Sequence, residues 1–187
     1  MPVGFMNKKI VWLDQPLITT APTQLDAAAF TDLYRTHTYA IFNYCLFRVG
    51  GDRVAAEDLT ADTFERAWRA RRRYRPDQAA FTTWLFAIAR NAVTDWQRRR
   101  ARRPLLSLHP QQPSQTPSPE AQFEENELRQ LVQMLEPDEQ ELIALKFGAG
   151  MTNRRIAGVM NKSETAIGSA VYRIMQKLRA HWIDKTV

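Results

Sequence analysis

Asp58, Asp62 and Glu65 stand at positions i, i+4 and i+7, a spacing that puts three carboxylates along one face of a helix. Carboxylates so placed could hold magnesium for phosphodiester cleavage. Such a site needs ligands converging from several elements, and no second acidic cluster accompanies these three. The other chemically loaded residues are arginines. Residues 66 to 103 hold Arg66, Arg69, Arg71, Arg72, Arg73, Arg75, Arg90, Arg98, Arg99, Arg100, Arg102 and Arg103 against only Asp77 and Asp95. This window carries +10 in a chain whose net charge is +6, leaving −4 elsewhere. The basic character is therefore a local patch, and its guanidinium groups suit bidentate phosphate contacts. Cys45, alone of its kind, permits no internal disulfide, and His37, His109 and His181 have no metal-ligand spacing. Disulfide scaffolds and zinc modules are excluded, and neither a metal site, a cofactor nor a catalytic residue is expected.

These residues need elements to position them. The chain has 187 residues, 44% apolar and 25% charged, enough for one or two small cores. Five of its ten prolines fall in PLLSLHPQQPSQTPSPEAQ, beginning at Pro104, a composition that favours neither helix nor packed strand. An all-α protein follows, with two small helical domains joined by a flexible Pro-rich linker. The expected boundaries are a mobile extension over 1–25, a first domain over 26–103, the linker over 104–122 and a second domain over 123–187.

In the first domain, Phe30, Leu33, Tyr34, Ile41, Tyr44 and Cys45 recur at helical spacing behind Asp26 as N-cap, and Gly50 and Gly51 supply a stop. A second helix is expected from Val54 to Arg72, with Leu59, Thr63, Phe64, Ala67 and Trp68 inward. A third starts at Phe81, its stripe formed by Phe81, Trp84, Leu85, Ile88, Ala89, Ala92, Val93 and Trp96. Between them Pro76 and Asp77 mark a turn. In the second domain Leu128, Leu131, Val132 and Leu135 share one face, and Pro137 breaks that helix. Asp138 and Glu141 read as the capping box of the next, which continues through Leu142, Ile143 and Phe147 to Gly148. Thr152 caps a short helix. Ser163 caps a longer one with Ala166, Ile167, Ala170, Val171, Ile174 and Leu178 inward. Short helix, tight turn and longer helix form a helix-turn-helix, whose second helix reads the major groove through its first turns. Glu164, Thr165, Ser169 and Arg173 are the candidates for base or phosphate contact.

The segments AAEDLTADTFERAW (55 to 68) and FTTWLFAIARNAVTDWQRRR (81 to 100) are similar to region 2 of the extracytoplasmic function (group IV) sigma factors of bacterial RNA polymerase. The stretch LEPDEQELIALKFGAGMTNRRIAGVMNKSETAIGSAVYRIMQKLR (135 to 179) resembles their region 4. The resemblance spans most of residues 26 to 182. It implies a cytoplasmic, non-enzymatic subunit that binds core polymerase at the beta-prime clamp and beta flap, recognises promoter DNA and starts strand opening. Asp58, Asp62, Thr63 and Phe64 match the clamp-docking positions. Arg72, Arg73, Tyr74 and Arg75 match the loop that captures a flipped base of the minus-ten element, with Arg90, Asn91 and Arg98 meeting the duplex just upstream. Extruding a base costs a few kcal/mol, which an Arg-dense loop can repay. For Tyr74, stacking on a base and ordinary packing remain equal alternatives, whereas Trp84, Trp96 and His37 read as structural. Arg154, Arg155, Lys162, Ser163, Glu164, Thr165, Ser169 and Arg173 would serve the minus-thirty-five element. Gly168 and Ala170 depart from the basic residues common there, so that contact should be weaker. An anti-sigma factor is an expected partner. No stretch approaches the roughly 18 apolar residues of a membrane helix, so no membrane insertion is expected.

Two other functions compete. A free-standing helix-turn-helix regulator would need neither the acidic second helix nor the Arg-rich loop. A nuclease would depend on Asp58 for cleavage.

Overall fold

The computed structural model describes residues 25–102 and 130–186, with side chains to His181. The expected linker, most of the N-terminal extension, Arg103 and the start of the helix containing Leu128 lie outside these residues. Every regular element among the described residues is helical.

The first unit is three long helices. Helix α1 (Ala27–Arg48) begins where the Asp26 carboxylate accepts from the Ala29 N–H at 2.8 Å. It buries Phe30, Leu33, His37, Ile41, Tyr44 and Cys45. Its end is set by Gly50 and Gly51 at φ 68° and 87°, the left-handed region that side chains resist. Helix α2 (Arg53–Ala70) is capped by Asp52, which accepts from Ala55 at 3.0 Å. Its inner face mixes Ala55, Ala56, Thr60, Thr63 and Ala67 with Leu59 and Phe64. A 3₁₀ turn (Arg71–Arg73) leads through a loop to helix α3 (Phe81–Arg102), which buries Phe81, Leu85, Phe86, Ala89, Ala92 and Val93. Trp84 and Trp96 pack at the edge of the core, half-buried.

The second unit contains a helical turn over 130–133 and helix α4 (Pro137–Ile143), which continues as a π-helical turn (Ala144–Gly148). Helix α5 (Asn153–Met160) follows, capped by Thr152, and helix α6 (Glu164–Thr186) completes the unit. Asn161, at φ 53°, makes the turn between α5 and α6, and Ser163 accepts from Ala166 at 3.1 Å. Ile156, Ile167 and Ile174 are at most 1% exposed. Ala166, expected inward, faces solvent, because it lies in the first turn, beyond the reach of α5.

A further expectation is corrected. The capping box of α4 lies two residues earlier than the sequence suggests: Glu136 is the N-cap, Pro137 takes the first helical position, and the Glu139 carboxylate accepts from the Glu136 N–H at 3.2 Å. This frees Glu141, which points into the protein and is 2% exposed. The two units share one core, in which α1 packs on the π-helical turn and α3 on α5. Gly148 sits where a Cβ would come within 3.2 Å of the Asn43 carbonyl oxygen and 3.3 Å of the Phe47 Cβ, so a side chain there would push the units apart by a few tenths of an ångström.

Candidate nucleic-acid interface

The arginines of the first unit divide into those engaged by the fold and those left outward. Arg66 bridges α2 and α3: its Nε donates to Asp62 Oδ1 at 2.9 Å and its Nη1 to Asp95 Oδ2 at 3.1 Å. The hydrogen bond to Asp62 is the chief reason its protonated form is further favoured. Arg69 pairs with Glu65 at 2.6 Å. The Arg71 guanidinium stacks 3.6 Å over the Trp68 ring and donates to the Trp68 carbonyl at 2.8 Å. Arg100 lies 5.0 Å over Trp96 and 3.9 Å from Asp52. Arg69 and Arg100 are exposed despite these contacts, as are Arg72, Arg73, Arg75, Arg98, Arg99 and Arg102, the six with no ion-pair or ring partner among the described residues. Of these six, only Arg75 makes a side-chain hydrogen bond among the described residues, to the Arg72 and Tyr74 carbonyls at 3.3 and 3.4 Å.

Tyr74 anchors this loop. Its ring packs edge-on to Phe81 at 5.7 Å and tilted against Trp84 at 5.1 Å, and its hydroxyl donates to the Ala79 carbonyl at 3.1 Å. At 6% exposure it is a packing residue here, and burial raises the pKa of its phenol. The two sequence alternatives for Tyr74 thus resolve toward packing in this conformation, with Arg72, Arg73 and Arg75 displayed around it. On α3, Asn91 and Arg98 face solvent while Arg90 is half-buried.

On α2 only Asp58 and Asp62 of the four docking candidates reach the surface. Thr63 is fully buried, its hydroxyl donating to the Leu59 carbonyl at 2.7 Å. Phe64 is 4% exposed and packs on Tyr34 and Phe30, with centroids 4.6 and 6.5 Å away. Thr63 and Phe64 therefore place the acidic face without forming it. Asp62 and Glu65 turn to Arg66 and Arg69, not toward each other. Among the described residues no three His, Cys, Asp or Glu side chains converge as metal ligands, so the magnesium reading has no geometry behind it.

In the helix-turn-helix, Arg154, Lys162, Ser163, Glu164, Thr165, Ser169 and Arg173 are exposed and Arg155 is half-buried. Several are occupied: Arg154 lies 3.4 Å from Glu164, and Lys162 3.4 Å from Asp138. A Cβ on Gly168 would meet only Asn153 Nδ2, at an ordinary 3.5 Å, so no contact requires glycine there.

The seam between the units holds a cluster absent from the sequence expectations. The Tyr44 hydroxyl lies 2.8 and 3.0 Å from the two oxygens of Glu141, and Arg48 Nε stands 3.2 Å from Glu141 Oε2, with both charged side chains at most 6% exposed. Burial pushes the Glu141 carboxyl above its ordinary range, opposed by Arg48, the Tyr44 hydroxyl and Arg90. The signal was present, since Glu141 adjoins Leu142 and Ile143 on the inner face of α4, but the carboxylate spacing of a capping box masked it.

The pattern of sigma-70 region 2 matches residues 33–103 and that of sigma-70 region 4 residues 125–178. The chain is 30% identical over 156 residues to the RNA polymerase sigma factor CarQ of Myxococcus xanthus, covering 81% of this chain and 87% of that protein. It is 33% identical over 159 residues to the ECF RNA polymerase sigma factor BldN of Streptomyces coelicolor, covering 82% of this chain. The chain spans about three fifths of the length of BldN and of SigE of Mycolicibacterium smegmatis (60% of each). Among solved structures it resembles CnrH in complex with the cytosolic domain of CnrY, at a TM-score of 0.63 and 26% identity over 85% of this chain and 90% of that one. It shares the fold of RpoE in complex with the anti-sigma factor NepR from Bartonella quintana, at a TM-score of 0.61 and 22% identity over 81% of this chain and 94% of that one.

Proposed function

The chain belongs to the extracytoplasmic function family of RNA polymerase sigma factors, and on that premise we propose that it binds core RNA polymerase, recognises a promoter and starts strand opening. In this reading it is a cytoplasmic, group IV, non-catalytic subunit, divided into region 2 over 26–103, a linker over 104–122 and region 4 over 123–187. Asp58 and Asp62 supply the acidic face for the clamp, held in place by Thr63 and Phe64 beneath. Arg72, Arg73 and Arg75 hold the backbone of the opened minus-ten strand around the Tyr74 anchor, while Arg90, Asn91 and Arg98 meet the duplex upstream. Arg154, Arg155, Lys162, Ser163, Glu164, Thr165, Ser169 and Arg173 serve the minus-thirty-five element, with region 4 docking on the beta flap. An anti-sigma factor is the proposed regulator, as the CnrH and RpoE complexes suggest.

The observation that carries this reading is the division of labour on adjacent helices. Helix α2, with Asp58 exposed and Asp62 paired to Arg66, leads directly into a loop whose arginines point outward around a buried tyrosine bonded to the Ala79 carbonyl. A duplex-binding regulator has no use for that pair of surfaces. Runoff transcription from a library of promoter fragments, with purified bacterial core polymerase with and without the protein, is the test. Transcripts from discrete sites only in its presence are expected. Neither transcripts nor co-elution with core, together with tight duplex binding by the protein alone, would transfer the reading to a free-standing regulator.

A further inference from the structure

We infer that Glu141 is an intramolecular latch, closing region 4 onto region 2 through Tyr44 and Arg48 and so holding the chain in a form that withholds part of its DNA-binding face. The partners of the Glu141 carboxylate lie almost one hundred residues away, in the other unit. The cations that favour its charge, Arg48 and Arg90, both lie in the other unit, while the nearby Asp138 on α4 repels it. A buried carboxylate without partners is strongly disfavoured, so Glu141 can occupy this apolar seam only when the units meet, and when they part both charges return to water.

The latch is poised. Arg48 Nε is within ion-pair distance of Glu141, yet neither Nε nor Nη1 is aimed at an acceptor, and Nη2 reaches only Gln97 Oε1 at 3.4 Å. A buried pair satisfied this incompletely contributes little net stability while still specifying register, which suits a contact that a competing partner must open. Closure also takes DNA-facing residues out of use. Arg90 is half-buried on α3 and its charge favours the ionised Glu141 carboxylate, a charge that the open form would free for a phosphate. Helix α5, the first helix of the helix-turn-helix, lies against the start of α3, with Gly158 at Thr83. The latch concerns the free chain; its effect on DNA binding rests on the proposed role of Arg90.

Closure can be read without polymerase or promoter. Cysteines introduced by Glu57→Cys on α2 and Gln176→Cys on α6, both exposed positions, would carry a fluorescent donor and acceptor on the full chain. The native Cys45 does not compete, since it is buried and its thiol is pushed up to about 12. Glu141→Gln keeps the side-chain shape and removes the charge, and is expected to lower transfer efficiency. Tyr44→Phe, which removes only the hydroxyl, should lower it less. Replacing the pair by apolar side chains, Arg48→Met with Glu141→Leu, should restore the closed value. If about nine chains in ten are closed, Glu141→Gln should tighten binding of a short fork-junction DNA about ten-fold. Parental transfer efficiency in both Glu141→Gln and Tyr44→Phe, with helical circular dichroism intact, would overturn the latch whatever runoff transcription shows. Should Glu141→Gln fail to fold, Tyr44→Phe alone decides. A latch that operates while the DNA affinity stays unchanged would overturn the masking of Arg90 and leave the polymerase reading standing.

Discussion

Asp58 and Phe64 stand six positions apart on α2 and match the same docking surface, yet their side chains do different work. The Phe64 ring is enclosed by Phe30 and Tyr34, so Phe64→Ala leaves a cavity in the α1–α2 packing and should cost about 3 to 5 kcal/mol of stability. Its loss of polymerase binding should therefore come with a lower melting temperature. Asp58 is exposed, and Asp58→Ala should weaken binding to core polymerase while leaving the melting curve within a degree or two. Thermal melts beside a binding assay separate the two roles. His37 gives a pH prediction. Burial first, then the charge of Arg155, lowers its pKa from 6.5 to about 4, and its ring lies 5.5 Å from that of Phe81 with Nδ1 unpartnered. The folded chain holds this imidazole neutral, whereas the unfolded chain protonates it below 6.5. The contribution is thus fully present above pH 6.5 and is lost as pH falls toward 4, by up to about 3 kcal/mol. Melting curves from pH 7 to pH 4.5 should show this fall, and His37→Gln should flatten it.

Helix ends and inner faces were legible because each is written locally. Asp26, Thr152 and Ser163 accept from the backbone N–H three residues on, and the stripes of α1 and α3 repeat at helical spacing. Capping became ambiguous where acids were dense. Glu136, Asp138, Glu139 and Glu141 offer two overlapping boxes, and only Pro137, which fits the first helical position, selects the earlier one. Trp84 and Trp96 show the same limit in another form: a stripe says which side faces inward, not how far the opposing helix extends to cover it. At this scale Gly168 offers a clean test. It sits in the first half of α6 with space for a Cβ, so Gly168→Ala should stabilise the helix by up to about 1 kcal/mol. Gly168→Arg should add a phosphate contact and strengthen the minus-thirty-five interaction. If Gly168→Ala instead lowers the melting temperature, α6 needs the glycine for a reason other than steric fit.

What the pattern along the chain could not supply was the relation between its halves. A Pro-rich segment marks where the units divide and not how they pack, and the charge that joins them, Glu141, carries no mark in a sequence of what lies opposite it. Nor does composition say which arginines are engaged by the fold. Twelve occur between residues 66 and 103, but Arg66, Arg69, Arg71 and Arg100 are held by carboxylates or indoles and Arg90 is half-buried. Six are exposed with no carboxylate or indole partner among the described residues: Arg72, Arg73, Arg75, Arg98, Arg99 and Arg102. This smaller number sets the electrolyte sensitivity. Each arginine neutralising a phosphate of the opened strand contributes about 0.7 to the slope of log affinity against log salt, and about 0.9 on duplex. Full engagement of these six would contribute about −4 to −5 to that slope, before the region 4 contacts are added. Arg72→Ala should then shift the slope for open-complex formation by a little under one, and Arg98→Ala, on the duplex side, by slightly more. Arg66→Ala should leave the slope unchanged while lowering the melting temperature, because its charge is already satisfied by Asp62 and Asp95 and it ties α2 to α3. Equal slope changes for Arg66 and Arg72 would mean that the fold does not partition the arginines in this way.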